Sequence, residues 1–210
     1  MKNSITTWGL IISIMALSCH SKPALTRIAC CAKDDAGPTA SLTGSLTQNT
    51  SVYQFPGRWT DAHNRSLELK ELKGKVQVVA MIFTHCGYAC PRIVQDMKAI
   101  QDSLPGAVKE DVGYVLVSFD TERDDPAQLN RFTVQQGLDQ RWVLLHGNPG
   151  QVRELSMLLN VRYQKQMDGN FNHSNSIFIL DKKGEVRQSL DGLDPQTGIA
   201  VNTIHQLINK

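Results

Sequence analysis

The chain has 210 residues, 41% of them hydrophobic and 20% charged, which is ordinary composition for a single globular domain. Its formal charge of +2, with no Lys/Arg cluster able to track phosphates, excludes the electrostatic footprint of a nucleic-acid binder. Five cysteines in this length exclude a dense disulfide framework.

At the amino terminus, Lys2 precedes the apolar segment from Trp8 to Leu17. That segment is long enough for the core of a signal peptide and too short to span about 30 Å of hydrocarbon as a helix. It closes on Ala16-Leu17-Ser18-Cys19, which resembles the bacterial lipobox, whose cysteine is lipidated and becomes the new first residue; Ala16 stands where Leu is most common. Residues 1–18 therefore read as a lipoprotein-type signal peptide and Cys19 as the lipidation site, with plain secretion or an uncleaved anchor as the alternatives. Each of these places the following domain in the bacterial cell envelope, outside the cytoplasm, and acyl chains would hold it on the membrane.

Residues 19–50 read as a flexible tether. Lys22-Pro23, the run from Gly37 to Ser45 and Thr47-Gln48-Asn49-Thr50 are small and polar, with no helical or alternating period, so the segment buries too little to order itself. The adjacent pair Cys30-Cys31 lies within it, with no acid or imidazole close in sequence to make a site, and adjacent cysteines form only a strained disulfide.

From residue 51 the pattern changes. Val52-Tyr53-Gln54-Phe55, Trp59-Thr60-Asp61 and Ser66-Leu67-Glu68-Leu69 alternate around the polar turn Asp61–Asn64, which predicts an N-terminal β-hairpin. Lys73-Gly74-Lys75 turns the chain into Val78–Phe83, a two-faced apolar run expected of a buried central strand. Ile93, Val94, Met97 and Ile100 then follow a helical period, stopped by Pro105-Gly106. Val112–Phe119 predicts a second buried strand, and Asp124-Asp125-Pro126 caps a helix over 127–136 ended by Gly137. A short strand at 142–145, a helix over 150–159 and an extended segment at 161–163 come next. Residues 167–172 read as a loop, Ile177–Leu180 as a third apolar strand, and Asp181–Gly184 as a turn into a pairing strand at 185–187. A closing amphipathic helix spans 195–208. This order is that of a thioredoxin-like α/β sandwich with an added N-terminal β-hairpin, placed over residues 51–210.

The chemistry gathers at Cys86-Gly87-Tyr88-Ala89-Cys90-Pro91, where the central strand ends and a helix begins. Unpaired first-turn N–H groups and the helix dipole lower a thiol's pKa there, giving the thiolate that serves both disulfide exchange and the binding of monovalent copper. If the helix begins near Gly87 or Tyr88, the two sulfurs fall on one face, with about 5–6 Å between β-carbons. A disulfide, a metal ion shared by two sulfurs and a pair of buried structural thiols all fit that spacing. Among six histidines, His20 lies in the tether, His63 in a turn, His205 on the last helix and His146 after a strand. His85 adjoins Cys86 but on an extended chain points to the opposite face. His173 differs, standing at the mouth of an apolar strand where an imidazole would complete a soft copper site.

Phe83-Thr84-His85-Cys86-Gly87-Tyr88-Ala89-Cys90-Pro91, then Val117-Ser118-Phe119-Asp120 with Glu122-Arg123-Asp124, then His173-Ser174 before Ile177–Asp181, closely resemble the Sco/SenC family over residues 53–210. The resemblance implies a membrane-tethered metallochaperone that binds one copper ion, Cu(I) or Cu(II), through Cys86, Cys90 and His173. It further implies a partner in the copper-centre subunit of cytochrome c oxidase or another copper protein, served by copper delivery, by reduction of the partner's cysteines through the redox pair Cys86 and Cys90, or by both. Asp120 matches the family's acidic position near the site. Thr121 and Asp125 depart from the family's usual Asp-Pro and Asp-Thr-Pro, and Gly87-Tyr88-Ala89 replaces its frequent Pro-Asp-Val insert. These departures touch loop contacts and leave the three ligands in place. Two enzymatic readings compete: a thiol-disulfide oxidoreductase, and a thiol peroxidase, against which Phe83 stands where a peroxiredoxin needs Thr.

Overall fold

The computed structural model describes residues 50–193 and 197–209. Cys19, Cys30, Cys31, His20, the signal peptide and nearly all of the tether lie outside the described residues. Strands β1 (Arg58–Asp61), β2 (Ser66–Glu68), β3 (Val76–Ile82), β4 (Val112–Ser118), β5 (Trp142–His146), β8 (Ser176–Leu180) and β9 (Val186–Asp191) form one seven-stranded sheet in the order β2-β1-β5-β4-β3-β8-β9. The strands β3, β4 and β5 run parallel, and β8, β9, β1 and β2 are added antiparallel on the two sides. Helices α1 (Ala89–Ser103), α2 (Pro126–Gln136), α3 (Pro149–Leu158) and α4 (Thr197–Ile208) complete the α/β sandwich, which is thioredoxin-like. A small separate sheet pairs β6 (Tyr163–Lys165) with β7 (Phe171–His173).

Every residue of β3 and β4 is buried, as expected for strands covered on both faces. Ile93, Val94, Met97 and Ile100 of α1 pack onto them as the helical period requires, all within 2% of complete burial. The α2 start uses Pro126 at its first position and the Asp125 carboxylate, which accepts from the Gln128 amide at 2.7 Å. The α3 start is a capping box, with Asn148 accepting from the Gln151 amide and the Gln151 side chain from the Asn148 amide.

Three expectations about local structure change. Val52–Gln54 is a 3-10 turn rather than a hairpin strand, because Val52 and Tyr53 are both buried and the Ser51 hydroxyl accepts from the Tyr53 amide. The hairpin consists of β1 and β2 alone, and β1 joins the sheet through β5. The segment before His173 is not simply a loop, since Phe171–His173 is strand β7 and the turn is confined to residues 166–170. Finally, α1 begins at Ala89, so Cys86 precedes the helix and only Cys90 lies in its first turn.

Candidate metal centre

Between β3 and α1 the chain makes a short loop, residues 83–88, and the loop's shape decides where the two sulfurs sit. The Tyr88 side chain provides no cap for α1. The Cys86 sulfur takes that place, accepting the Cys90 amide at 3.4 Å, while the Cys90 sulfur accepts the Phe83 amide at 3.4 Å. Cys90 is completely buried and Cys86 partly exposed, and both are free thiols. Pro91, third in the helix, lacks an amide hydrogen where none is needed.

His173 comes from the far end of the chain on β7. Its Nδ1 lies 3.0 Å from the Ser174 carbonyl and its Nε2 3.7 Å from the Cys90 sulfur. A carbonyl only accepts, so Nδ1 carries a proton, and in the neutral ring a metal ion needs, Nε2 offers its lone pair toward the dithiol. The ligand atoms of Cys86, Cys90 and His173 lie within 4.8 Å of one another. An imidazole oriented through its other nitrogen by a backbone carbonyl is the arrangement that metal-binding histidines adopt. Two sulfurs and one imidazole nitrogen make a soft donor set that fits copper.

The two thiols are unequal in acidity. Cys86 is lowered to about 4, chiefly because the Cys90 thiol donates to it; its own burial opposes this, and the Cys90 and Tyr88 amides add to it. Cys90 is raised, because it donates to Cys86 and is buried. The pair therefore holds a single negative charge over a wide pH range, carried on the accessible sulfur.

Aromatic rings hold the hairpin that bears His173. Phe119 stacks on Tyr163 at 5.1 Å and meets Phe171 at 5.1 Å, and Phe83 meets Phe171 at 5.1 Å. The imidazole sits against Phe119 at 5.1 Å and edge-on to Phe83 at 5.9 Å. These contacts were not legible from periodicity, since the four aromatic residues stand at the ends of different elements.

Asp124 has a structural role that the spacing did not separate from capping, because an Asp-Asp-Pro stretch reads as a helix cap. Only Asp125 caps; Asp124 is completely buried and accepts from the Thr84 amide at 2.8 Å, the Thr84 hydroxyl at 2.6 Å and the Ser118 hydroxyl at 2.6 Å. It anchors the segment leading into Cys86. His85 points to Asp124, 3.3 Å from its carboxylate, and not to the dithiol. Asp120 is buried and paired with Arg123 at 2.5 Å. The atoms of His85, Asp120 and Asp124 also lie within 4.8 Å of one another, but both carboxylates already accept several hydrogen bonds. His63 is exposed, and His146 and His205 are half-buried away from this cluster. No helix among the described residues is long and apolar enough to cross a membrane.

The chain is similar to known proteins over most of its length. The SCO1 protein homolog of Bacillus subtilis is 29% identical over 150 residues, covering 70% of this chain and 76% of that one. The crystal structure of a SCO1/SenC family lipoprotein from Bacillus anthracis is 26% identical, with a TM-score of 0.65 over 72% of this chain and 92% of that one. The structure of Bradyrhizobium japonicum ScoI with copper bound superposes with a TM-score of 0.62 at 22% identity, over 72% of this chain and 97% of that one, and shares its fold. A family model described as SCO1/SenC matches residues 46–209, and the chain belongs to the SCO1/SenC family.

Proposed function

We propose that the domain is a copper metallochaperone that holds one copper ion between the sulfurs of Cys86 and Cys90 and the Nε2 of His173. The observation that carries this reading is the convergence of the three donor atoms within 4.8 Å, with His173 Nδ1 3.0 Å from the Ser174 carbonyl and its Nε2 turned to the dithiol, 3.7 Å from the Cys90 sulfur. The copper is cargo, bound while the cysteines are reduced and released when they are oxidised. The partner that the family resemblance supplies is the subunit carrying the dinuclear copper centre of cytochrome c oxidase. Residues 1–18 are the export signal, Cys19 the lipid anchor, 19–50 the tether and 51–210 the working domain, which places the site outside the cytoplasm at the membrane. In support, a relative in the family is described as a lipoprotein.

A second reading, reduction of partner disulfides, is favoured by the asymmetry of the two thiols. The Cys86 thiolate attacks one sulfur of the partner disulfide, forming a mixed disulfide and expelling the other partner sulfur as a thiolate. Cys90 then loses its proton and attacks the Cys86 sulfur, so the partner leaves with two thiols and this domain keeps the disulfide. The two readings use the same sulfurs and differ only at the imidazole.

Copper stoichiometry on the purified domain tests the assignment. One copper per chain is expected for the reduced protein, with loss of tight binding in Cys86→Ser, Cys90→Ser and His173→Ala. A His173→Ala variant that retains one tightly held copper, with unchanged absorption and spin-resonance spectra, refutes the ligand set and leaves disulfide exchange as the function.

A further inference from the structure

The β6–β7 hairpin stands outside the main sheet, so no ladder of backbone hydrogen bonds fixes its angle to the body. Its base is held by the rings of Phe119, Phe83 and Phe171, next to His173 itself. Its turn is held from one place only among the hydrogen bonds described, the loop that follows β4. There the Arg123 guanidinium pairs through Nε with the Asp120 carboxylate and through Nη2 with the Gly169 carbonyl, at the tip of the hairpin. Beside it, Lys165 Nζ meets Glu122 at 2.5 Å.

We propose that Arg123 is a positioning residue for His173: a clamp between the end of β4 and the hairpin turn that keeps the imidazole over the dithiol. The inference rests on the copper-site reading above. Asp120 is a fixed anchor, 1% exposed, its amide donating to the Ser118 hydroxyl at 3.0 Å. A planar guanidinium reaches two acceptors at once, which a lysine ammonium at the same place does less well. The turn is shaped to receive it. Gly169 has φ of +80°, which disfavours other residues, and a β-carbon there would lie 3.3 Å from the Arg123 Nη1. Gly169 lies in the turn that leads into β7, and His173 ends that strand, so motion at the tip is transmitted along β7 to the imidazole as a change of angle. Arg123 touches none of the three donor atoms, and its effect is exerted through the hairpin.

The test compares wild type, Arg123→Ala, Arg123→Lys and His173→Ala, each read by nitrogen hyperfine coupling in the cupric spin-resonance spectrum, by copper affinity against a chelator, and by amide relaxation over residues 163–174 in the metal-free reduced domain. Arg123→Ala is expected to keep one copper per chain, with weakened and broadened nitrogen coupling, affinity lower by about tenfold, and increased motion at 166–173. Arg123→Lys is expected to fall between wild type and the alanine variant, and it carries the comparison alone if that variant fails to fold. Unchanged coupling and unchanged relaxation in the Arg123 variants, with His173→Ala defective, overturn the clamp and leave the ligand assignment standing. If His173→Ala itself keeps the coupling and the affinity, the ligand assignment fails and the clamp has no ligand to position.

Discussion

The unequal thiols lead to a prediction whose magnitude decides which measurement to make. With Cys86 lowered to about 4, it is about 99% thiolate at pH 6, against about 0.3% for an ordinary cysteine near 8.5. That is a gain of about 300-fold in reactive species. Thiolate nucleophilicity falls with basicity at a Brønsted slope of about 0.4–0.5, so a pKa lower by 4–5 units reduces the intrinsic rate by about 100-fold. The two effects nearly cancel, and a single rate at neutral pH says little. The shape of the pH profile is decisive. Alkylation of the reduced domain by iodoacetamide should be flat from about pH 6 to 9, where a free thiol's rate rises about tenfold per pH unit until it levels near 8.5. Cys90→Ser, which retains a hydroxyl donor, should stay flat, whereas Cys90→Ala should shift the midpoint upward because the largest contribution is gone. A native profile with its midpoint above about pH 8 would refute the hydrogen-bonded thiolate.

The same shifts predict how stability follows pH. Between about pH 4 and 8.5 the unfolded reduced chain holds a Cys86 proton that the folded chain lacks, so stability rises with pH; above that window the raised Cys90 keeps a proton that the unfolded chain loses, so stability falls. The urea midpoint of the reduced domain, taken relative to the oxidised domain, should therefore peak near pH 8–9, and a monotonic rise through pH 10 would contradict it. Phe119→Ala should cost about 3–5 kcal/mol and raise amide exchange over 163–173, since Phe119 is 3% exposed and touches Tyr163, Phe171 and His173. Asp124→Asn should cost about 1–3 kcal/mol in urea unfolding: with the amide oxygen kept toward the Thr84 amide and Ser118 hydroxyl, which share one carboxylate oxygen, the NH2 replaces the acceptor of the Thr84 hydroxyl, which already accepts from Gln128; a loss below about 0.5 kcal/mol, half of one net hydrogen bond, would show that this bond carries no net stability. Gly184→Ala should lose at least about 1 kcal/mol, as Gly184 has φ of +81° and a β-carbon there would sit 2.5 Å from the Tyr53 ring.

Local chemistry made much of this protein legible from its sequence. The apolar runs of β3 and β4, the 3.6-residue period of α1, the caps of α2 and α3 and the dithiol at a strand-to-helix junction all follow from neighbours in the chain, because secondary structure and capping are short-range effects. Even there, Val52 and Tyr53 are buried consecutively in a 3-10 turn where alternation predicted a strand, and the Val52 amide donates to the Gly184 carbonyl at the turn between β8 and β9, a partner far off in the chain.

Tertiary structure alone decided the site's geometry. That Cys86 rather than Cys90 carries the charge depends on one sulfur being buried and donating to the other, which spacing does not encode. His173 lies 83 positions beyond Cys90, and it reaches the dithiol because a hairpin outside the main sheet is packed on phenylalanines drawn from β7 and from the loops after β3 and β4. Asp124 faces inward and Asp125 caps outward, a division that only the turn between β4 and α2 settles. The residue types name the donors; the fold brings them to one point and sets which nitrogen and which sulfur are free to act.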